Sequence, residues 1–176
     1  METKHQHLDP NDPRAVEVLG SLRRVFTDDG PWPVMLHGRA GSGKTSVALI
    51  ILDRVAGRYE NMRTLHGDYI RAMRGELRSG DRVMDRAIDE REFMSGLAQA
   101  QLLVVDEIGK RREATDAETD TLHQILEARA GRPTIYISNR PAYELMRVYD
   151  QAVSSRLCAG TVIEYGGSDR RLAPKG

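Results

Sequence analysis

The sequence predicts an α/β fold, a three-layer sandwich in which a five-stranded parallel sheet carries helices on both faces. Three observations point to it. Short apolar runs alternate with helix-patterned segments along the chain, as repeated βαβ units require. Two of those runs, "LLVVDE" (102–107) and "TIYISN" (134–139), stay apolar until polar residues end them, the pattern of strands buried on both faces. A glycine-rich loop joins the first strand to the helix after it. At 176 residues the chain is long enough for one sizeable core.

The elements follow in order. "NDPRAVEVLGSLRRVF" predicts a helix capped by Asp12, with Pro13 at its first position and Ala15, Val18, Leu19, Leu22, Val25 and Phe26 on one apolar face. After the turn "TDDGPWP" comes the short buried strand "VMLH" (34–37), then the glycine loop and a helix ending near Gly57. A second strand is expected within "RTLHGDYI" (63–70), before a helix running through Met73 and Leu77. "DEREFMSGLAQAQ" is helical and leads into the strand at 102–107. Thr115 and Glu118 form a capping box for a helix whose core side is Leu122, Ile125 and Leu126, closed by Gly131. The strand at 134–139, helices in "PAYELMRVY" and "DQAVSSRL", and a last strand "TVIEY" (161–165) complete the fold. Residues 1–30 form a polar segment plus amphipathic helix, 31–166 the core, and 167–176 a polar tail.

Composition narrows the function. The 26 basic and 26 acidic residues cancel, so no global basic field announces nucleic acid. The single cysteine, Cys158, excludes an internal disulfide and suits a reducing cytoplasm. No apolar run approaches the roughly 18 to 20 residues that span a bilayer, and "METKHQHLDPNDP" is too polar for a signal peptide. The expectation is a cytoplasmic protein with no membrane partner.

The chemistry begins at Gly38. "GRAGSGKT" (38–45) fits G-x-x-x-x-G-K-[ST] in full, after a strand and opening a helix. Gly38, Gly41 and Gly43 allow backbone conformations that let several N–H groups face one phosphate chain. The following helix adds its unpaired N–H groups and positive dipole end. Lys44 can reach the β- and γ-phosphates, and the Thr45 hydroxyl can ligate Mg²⁺. The nucleotide-binding set is therefore Gly38, Arg39, Ala40, Gly41, Ser42, Gly43, Lys44, Thr45 and Ser46.

Ligands sit at the carboxyl ends of strands in open α/β sheets. There Asp106 would hold the metal shell with Thr45, and Glu107 could orient and deprotonate a water for attack on the γ-phosphate. Asn139, at the tip of its strand, could hold that water or a γ-phosphate oxygen; an Asx turn before Pro141 is the competing reading. Arg156 in "SSRL" is either an ordinary surface charge or an arginine finger that completes a neighbour's site. Trp32 is a packing residue or borders the adenine. The histidines lack metal-ligand spacing near a cysteine.

The sequence resembles the AAA+ ATPases of the DnaC/IstB type, the bacterial and phage helicase loaders and the related transposition helper ATPases. The matching pieces are "HGRAGSGKTSVA", "LLVVDEIGKRREATDAETDTLHQILEARAGRPTIYISN", "SSRL" and "YGGSDRR", in family order from about Pro33 to Arg171. The resemblance implies a P-loop NTPase core of the ASCE class without a separate helical lid. It gives Lys44, Thr45, Asp106 and Glu107 the nucleotide and hydrolysis roles, makes Asn139 sensor 1, and makes Arg156 a finger acting in trans. Arg170 and Arg171 are left as alternatives for a late arginine at the γ-phosphate. Only about 37 residues precede Gly38, too few for the separate partner-gripping N-terminal domain of a typical loader, so the expectation is either an isolated ATPase core or a reduced member that recruits its partner differently.

A trans finger implies a homo-oligomer in the ATP state, an open ring or short filament. By the resemblance the partner is a replicative helicase or another DNA-bound protein, and single-stranded DNA lies along the inner surface. The stretch for that contact is "DYIRAMRGELRSGDRVMDR" (68–86), where Arg71, Arg74, Arg78, Arg82 and Arg86 recur at helical spacing and Tyr69 could stack on a base. Its interleaved acids equally describe an ion-paired solvated face. The resulting reading is an ATP- and Mg²⁺-dependent helicase loader or DNA-remodelling ATPase. The alternatives are a transposition helper ATPase, a nucleotide-gated adaptor without useful hydrolysis and, less well matched after Glu107, a small P-loop kinase.

Overall fold

The computed structural model describes residues 13–27, 30–80 and 84–166. Its elements are α1 (Pro13–Thr27), β1 (Val34–His37), α2 (Lys44–Leu52), β2 (Arg58–Asn61), α3 (Met62–Met73), α4 (Glu90–Gln99), β3 (Leu103–Ile108), α5 (Asp116–Ala128), β4 (Thr134–Ser138), α6 (Ala142–Leu145), α7 (Gln151–Leu157) and β5 (Thr161–Glu164). The strands form one sheet in the order β2-β3-β4-β1-β5, and each neighbouring pair is parallel.

Alternation along the strands divides the core into two layers. Met35, Leu103, Val105 and Tyr136 face one side, packing with Leu65, Phe93, Leu97, Leu122, Ile125, Val153 and Leu157. Val34, Leu36, Val104, Ile135 and Ile137 face the other, against Val18, Leu22, Val47 and Ala48. Helices α1 and α2 thus cover one face and α3, α4, α5 and α7 the other, which is the expected three-layer sandwich.

One strand lies elsewhere than expected. β2 is "RYEN" (58–61), and 63–70 belongs to α3. Met62, Leu65, Tyr69 and Ala72 are all buried, at helical spacing, and the Asn61 side chain caps α3 by accepting from the Arg63 N–H at 3.1 Å. β2 is an edge strand paired on one side only, so it forms without the apolar run that marks a central strand. α3 also stops at Met73 instead of reaching Leu77, because Gly75 turns the chain out at φ +69°. α6 is a single turn within its predicted segment. The expected cap Asp12 lies outside the described residues.

Two local features position the site. β3 pairs with β4 as Val105↔Tyr136 and then Ile108↔Ser138, so β3 carries one extra residue, a bulge at Asp106–Glu107. Arg129, at the C-cap of α5, is only 3% exposed. Its guanidinium donates to the carbonyls of Leu97, Ala98, Ala100 and Pro133 and to Thr134 Oγ1. The last carbonyls of a helix have no partner within it, and for α4 this arginine supplies one.

Candidate functional site

β1 delivers the chain into the glycine loop at the carboxyl edge of the sheet. Gly38 has φ +150°, and a Cβ there would lie 2.2 Å from the Tyr165 carbonyl oxygen, a backbone contact that leaves room for hydrogen only. Gly41 and Gly43 also have positive φ, and Gly43 begins α2 with no side-chain cap. A helix start of this kind, with no side-chain cap, presents first-turn N–H groups that suit an anion. Lys44 is 5% exposed, and its Nζ donates to Gly38 O and Arg39 O, each at 2.8 Å, and to Ser42 Oγ at 3.4 Å. Its ammonium is thus held over the loop. Arg39 and Ala40 are exposed on the loop, and Ser46 is half-buried in the first turn of α2.

Thr45 and Asp106, sixty-one positions apart, meet here: Thr45 Oγ1 donates to Asp106 Oδ2 at 2.7 Å. The Glu107 N–H donates to Asp106 Oδ1 at 2.6 Å. For a magnesium ion this donor set fits. A hydroxyl and a carboxylate, both hard oxygens, meet where an uncapped helix start would place phosphate, and Mg²⁺ characteristically takes one or two such ligands plus substrate phosphates. Among the described residues no group of three or more His, Cys, Asp or Glu side chains could hold a metal by itself.

Glu107 follows at φ +64°, the only non-glycine with positive φ among the described residues. The bulge and this backbone turn aim its side chain out of the ladder. Oε2 accepts from Asn61 Nδ2 at 2.7 Å and Oε1 from Lys110 Nζ at 2.6 Å. The Asn61 amide first, and then Lys110, hold the Glu107 carboxyl below the usual glutamate range. Gly109 turns at φ +68°, and a Cβ there would lie 2.4 Å from Leu145 Cδ2. Glu107 opens on a cleft of about 290 Å³ shared with Arg63, His66, Lys110, Arg111 and Glu118.

Asn139 immediately follows β4, the strand between β3 and β1, so it stands exposed between the acid pair and the glycine loop. Arg156 does not share that end of the sheet. It borders a cleft of about 510 Å³ with Trp32, Pro33 and Gly131, residues that precede β1 and β4. There it meets His123 Nε2 at 2.5 Å and Glu127 Oε1 at 3.4 Å. Trp32 packs edge-on against Phe26, centroids 5.0 Å apart, at the end of the sheet away from the loop.

The stretch 68–86 differs from its sequence reading. Tyr69 is 6% exposed, its ring packs against Phe93, and its hydroxyl donates to Glu90 at 2.7 Å, so the ring presents no stacking face. Burial first and Glu90 second push its phenol up to about 12. Arg71 pairs with Asp68, Arg78 with Asp85 and Arg86 with Glu92. Because α3 ends at Met73, Arg78 and Arg86 share no helical face with Arg71, while Arg74 is exposed at the C-cap. Arg82, Arg170 and Arg171 lie outside the described residues.

Sequence reasoning missed Tyr59, Asn61 and Lys110. The signal for the first two was present in "RYEN": like the apolar runs that the sequence closes with Glu107 and Asn139, this strand ends on a polar residue at the carboxyl edge.

No family model matches the sequence, and no curated protein matches it. Solved structures do match. The DnaC helicase loader superposes with a TM-score of 0.69 at 16% identity, over 91% of this chain and 94% of that one. DnaI gives 0.66 at 18% identity, over 89% and 87%. AMPPCP-bound DnaA from Aquifex aeolicus gives 0.65 at 18% identity over 90% of this chain and 47% of its own, so the present chain spans about half the DnaA chain. At these identities the likeness is one of fold. In architecture, this chain shares with these structures an α/β fold built on a five-stranded parallel sheet.

Proposed function

We propose that this chain binds ATP with Mg²⁺, hydrolyses it, and couples that cycle to a DNA-bound partner in the manner of a helicase loader. The carrying observation is the 2.7 Å contact of Thr45 with Asp106 under an uncapped, lysine-bearing glycine loop, with Glu107 beside it. Lys44 and the first-turn N–H groups of α2 bind and orient the phosphates. Thr45 and Asp106 would hold the magnesium ion, which supplies charge neutralisation across the β- and γ-phosphates. Glu107, kept ionised by Asn61 and Lys110, orients a water and accepts its proton. Asn139 fixes the water or a γ-phosphate oxygen, and Arg156, at the far end of its own sheet, serves a neighbouring subunit's site. The DnaC and DnaI likeness supports the loader reading, and a DnaA neighbour was solved with AMPPCP and single-stranded DNA together. Residues 31–166 are the ATPase core in this reading.

ATP turnover measured against protein concentration, with and without single-stranded DNA, tests it. Turnover that rises with both and disappears in Glu107→Gln supports an assembling ATPase; a Glu107→Gln protein that still turns over removes Glu107 as the activator. A second reading, a nucleotide-gated adaptor, is favoured by one observation: both Glu107 oxygens are already occupied. Tight nucleotide binding with turnover indifferent to concentration and DNA would select it.

A further inference from the structure

Asp106 has a donor that none of the motif chemistry assigns. From the edge strand β2, the Tyr59 hydroxyl donates to Asp106 Oδ2 at 2.9 Å, the same oxygen that accepts from Thr45 at 2.7 Å. The other oxygen, Oδ1, takes the Glu107 N–H at 2.6 Å. A carboxylate offers about four acceptor positions. Two are filled on Oδ2 and one on Oδ1, so the position left open is on Oδ1.

We propose that Tyr59 is a positioning residue for the metal-holding carboxylate, its hydroxyl fixing the rotation of Asp106 so that Oδ1 keeps a free lone pair for the metal shell. This rests on the nucleotide-site reading above. Thr45 and the Glu107 N–H hold one oxygen each; Tyr59 adds a second donor on Oδ2 from a different strand and tightens that rotation. Asp106 is 6% exposed, so water competes poorly for the position. Partners that orient metal ligands typically account for 10- to 100-fold in metal affinity.

The test is a Mg²⁺ titration of fluorescent ATP-analogue binding to the full chain, comparing wild type, Tyr59→Phe and Asp106→Asn, with a parallel series in EDTA. Tyr59→Phe keeps the ring and removes only the hydroxyl. Its Mg²⁺ midpoint should rise by roughly tenfold or more, with analogue affinity in EDTA unchanged, which also shows that the variant is folded. An unchanged or lower midpoint in Tyr59→Phe, while Asp106→Asn is impaired, overturns the role of Tyr59 and leaves the nucleotide site standing. An equal loss with and without Mg²⁺ overturns it too, because the hydroxyl would then act on the loop. Wild-type binding indifferent to Mg²⁺, or Asp106→Asn indistinguishable from wild type, removes the nucleotide-site reading and the proposal with it.

Discussion

Lys44 shows how much one side chain does at this loop. It is buried, and its ammonium sits on the loop's own carbonyls, where it can exchange those acceptors for phosphate oxygens. Lys44→Ala should weaken nucleotide binding by about 3 kcal/mol, roughly a hundredfold, in a fluorescence titration. Glu107→Gln should leave that titration unchanged and cut single-site turnover by about 10²- to 10⁴-fold. The residues legible in the sequence were those whose chemistry forces a fixed local pattern, such as the loop from Gly38 to Thr45 and the Asp106–Glu107 pair. Tyr59 and Asn61 were not legible, because they reach the acids only through the pairing of β2 with β3. Tyr69 was misread for the converse reason: an aromatic among arginines resembles a stacking platform until the fold buries it against Phe93.

Among the elements, the central strands were legible because continuous apolar runs leave them no other place. The edge strand β2 lacked that signal, and the strand expected within 63–70 fell in what is α3. The join between α4, α5 and β4 is held by a single buried guanidinium. Arg129→Met should strand the Ala100 carbonyl, remove one donor each from Leu97, Ala98 and Pro133, and cost about 3 kcal/mol, a fall of roughly 6 to 12 °C in Tm for a chain of this size. Thermal unfolding followed by circular dichroism reads it directly. The N-cap of α5, where Thr115 accepts from the Glu118 N–H at 3.2 Å, is a smaller version: Thr115→Ala should cost about 1 kcal/mol.

For the whole molecule, the layer architecture and the parallel sheet followed from the alternation of patterns, while the ends of helices did not. What Arg156 serves is a question only an assembly answers, because this side chain and the glycine loop lie at opposite ends of one sheet. Arg156→Ala should keep nucleotide affinity and lose turnover by about 10³-fold or more. Mixing it with Glu107→Gln should restore part of the activity, since one subunit then brings the acid and its neighbour the arginine. Equal inactivity of the mixture and of its components would overturn the action in trans, and wild-type turnover in Arg156→Ala would place the arginine outside catalysis.

The helix α5 joins those two ends. Its first turn carries Glu118, in the cleft shared with Glu107, and its last turn carries Glu127, which with His123 holds Arg156. Thirteen residues make it a stiff rod, about 20 Å long, so that a tilt of about 10° at the acid end displaces the arginine end by roughly 3.5 Å. A displacement of that size exceeds the reach of a hydrogen bond. If Arg156 serves a neighbour as proposed, a subunit whose own site shifts α5 would withdraw or present its arginine to the next, turning a row of separate reaction centres into a relay.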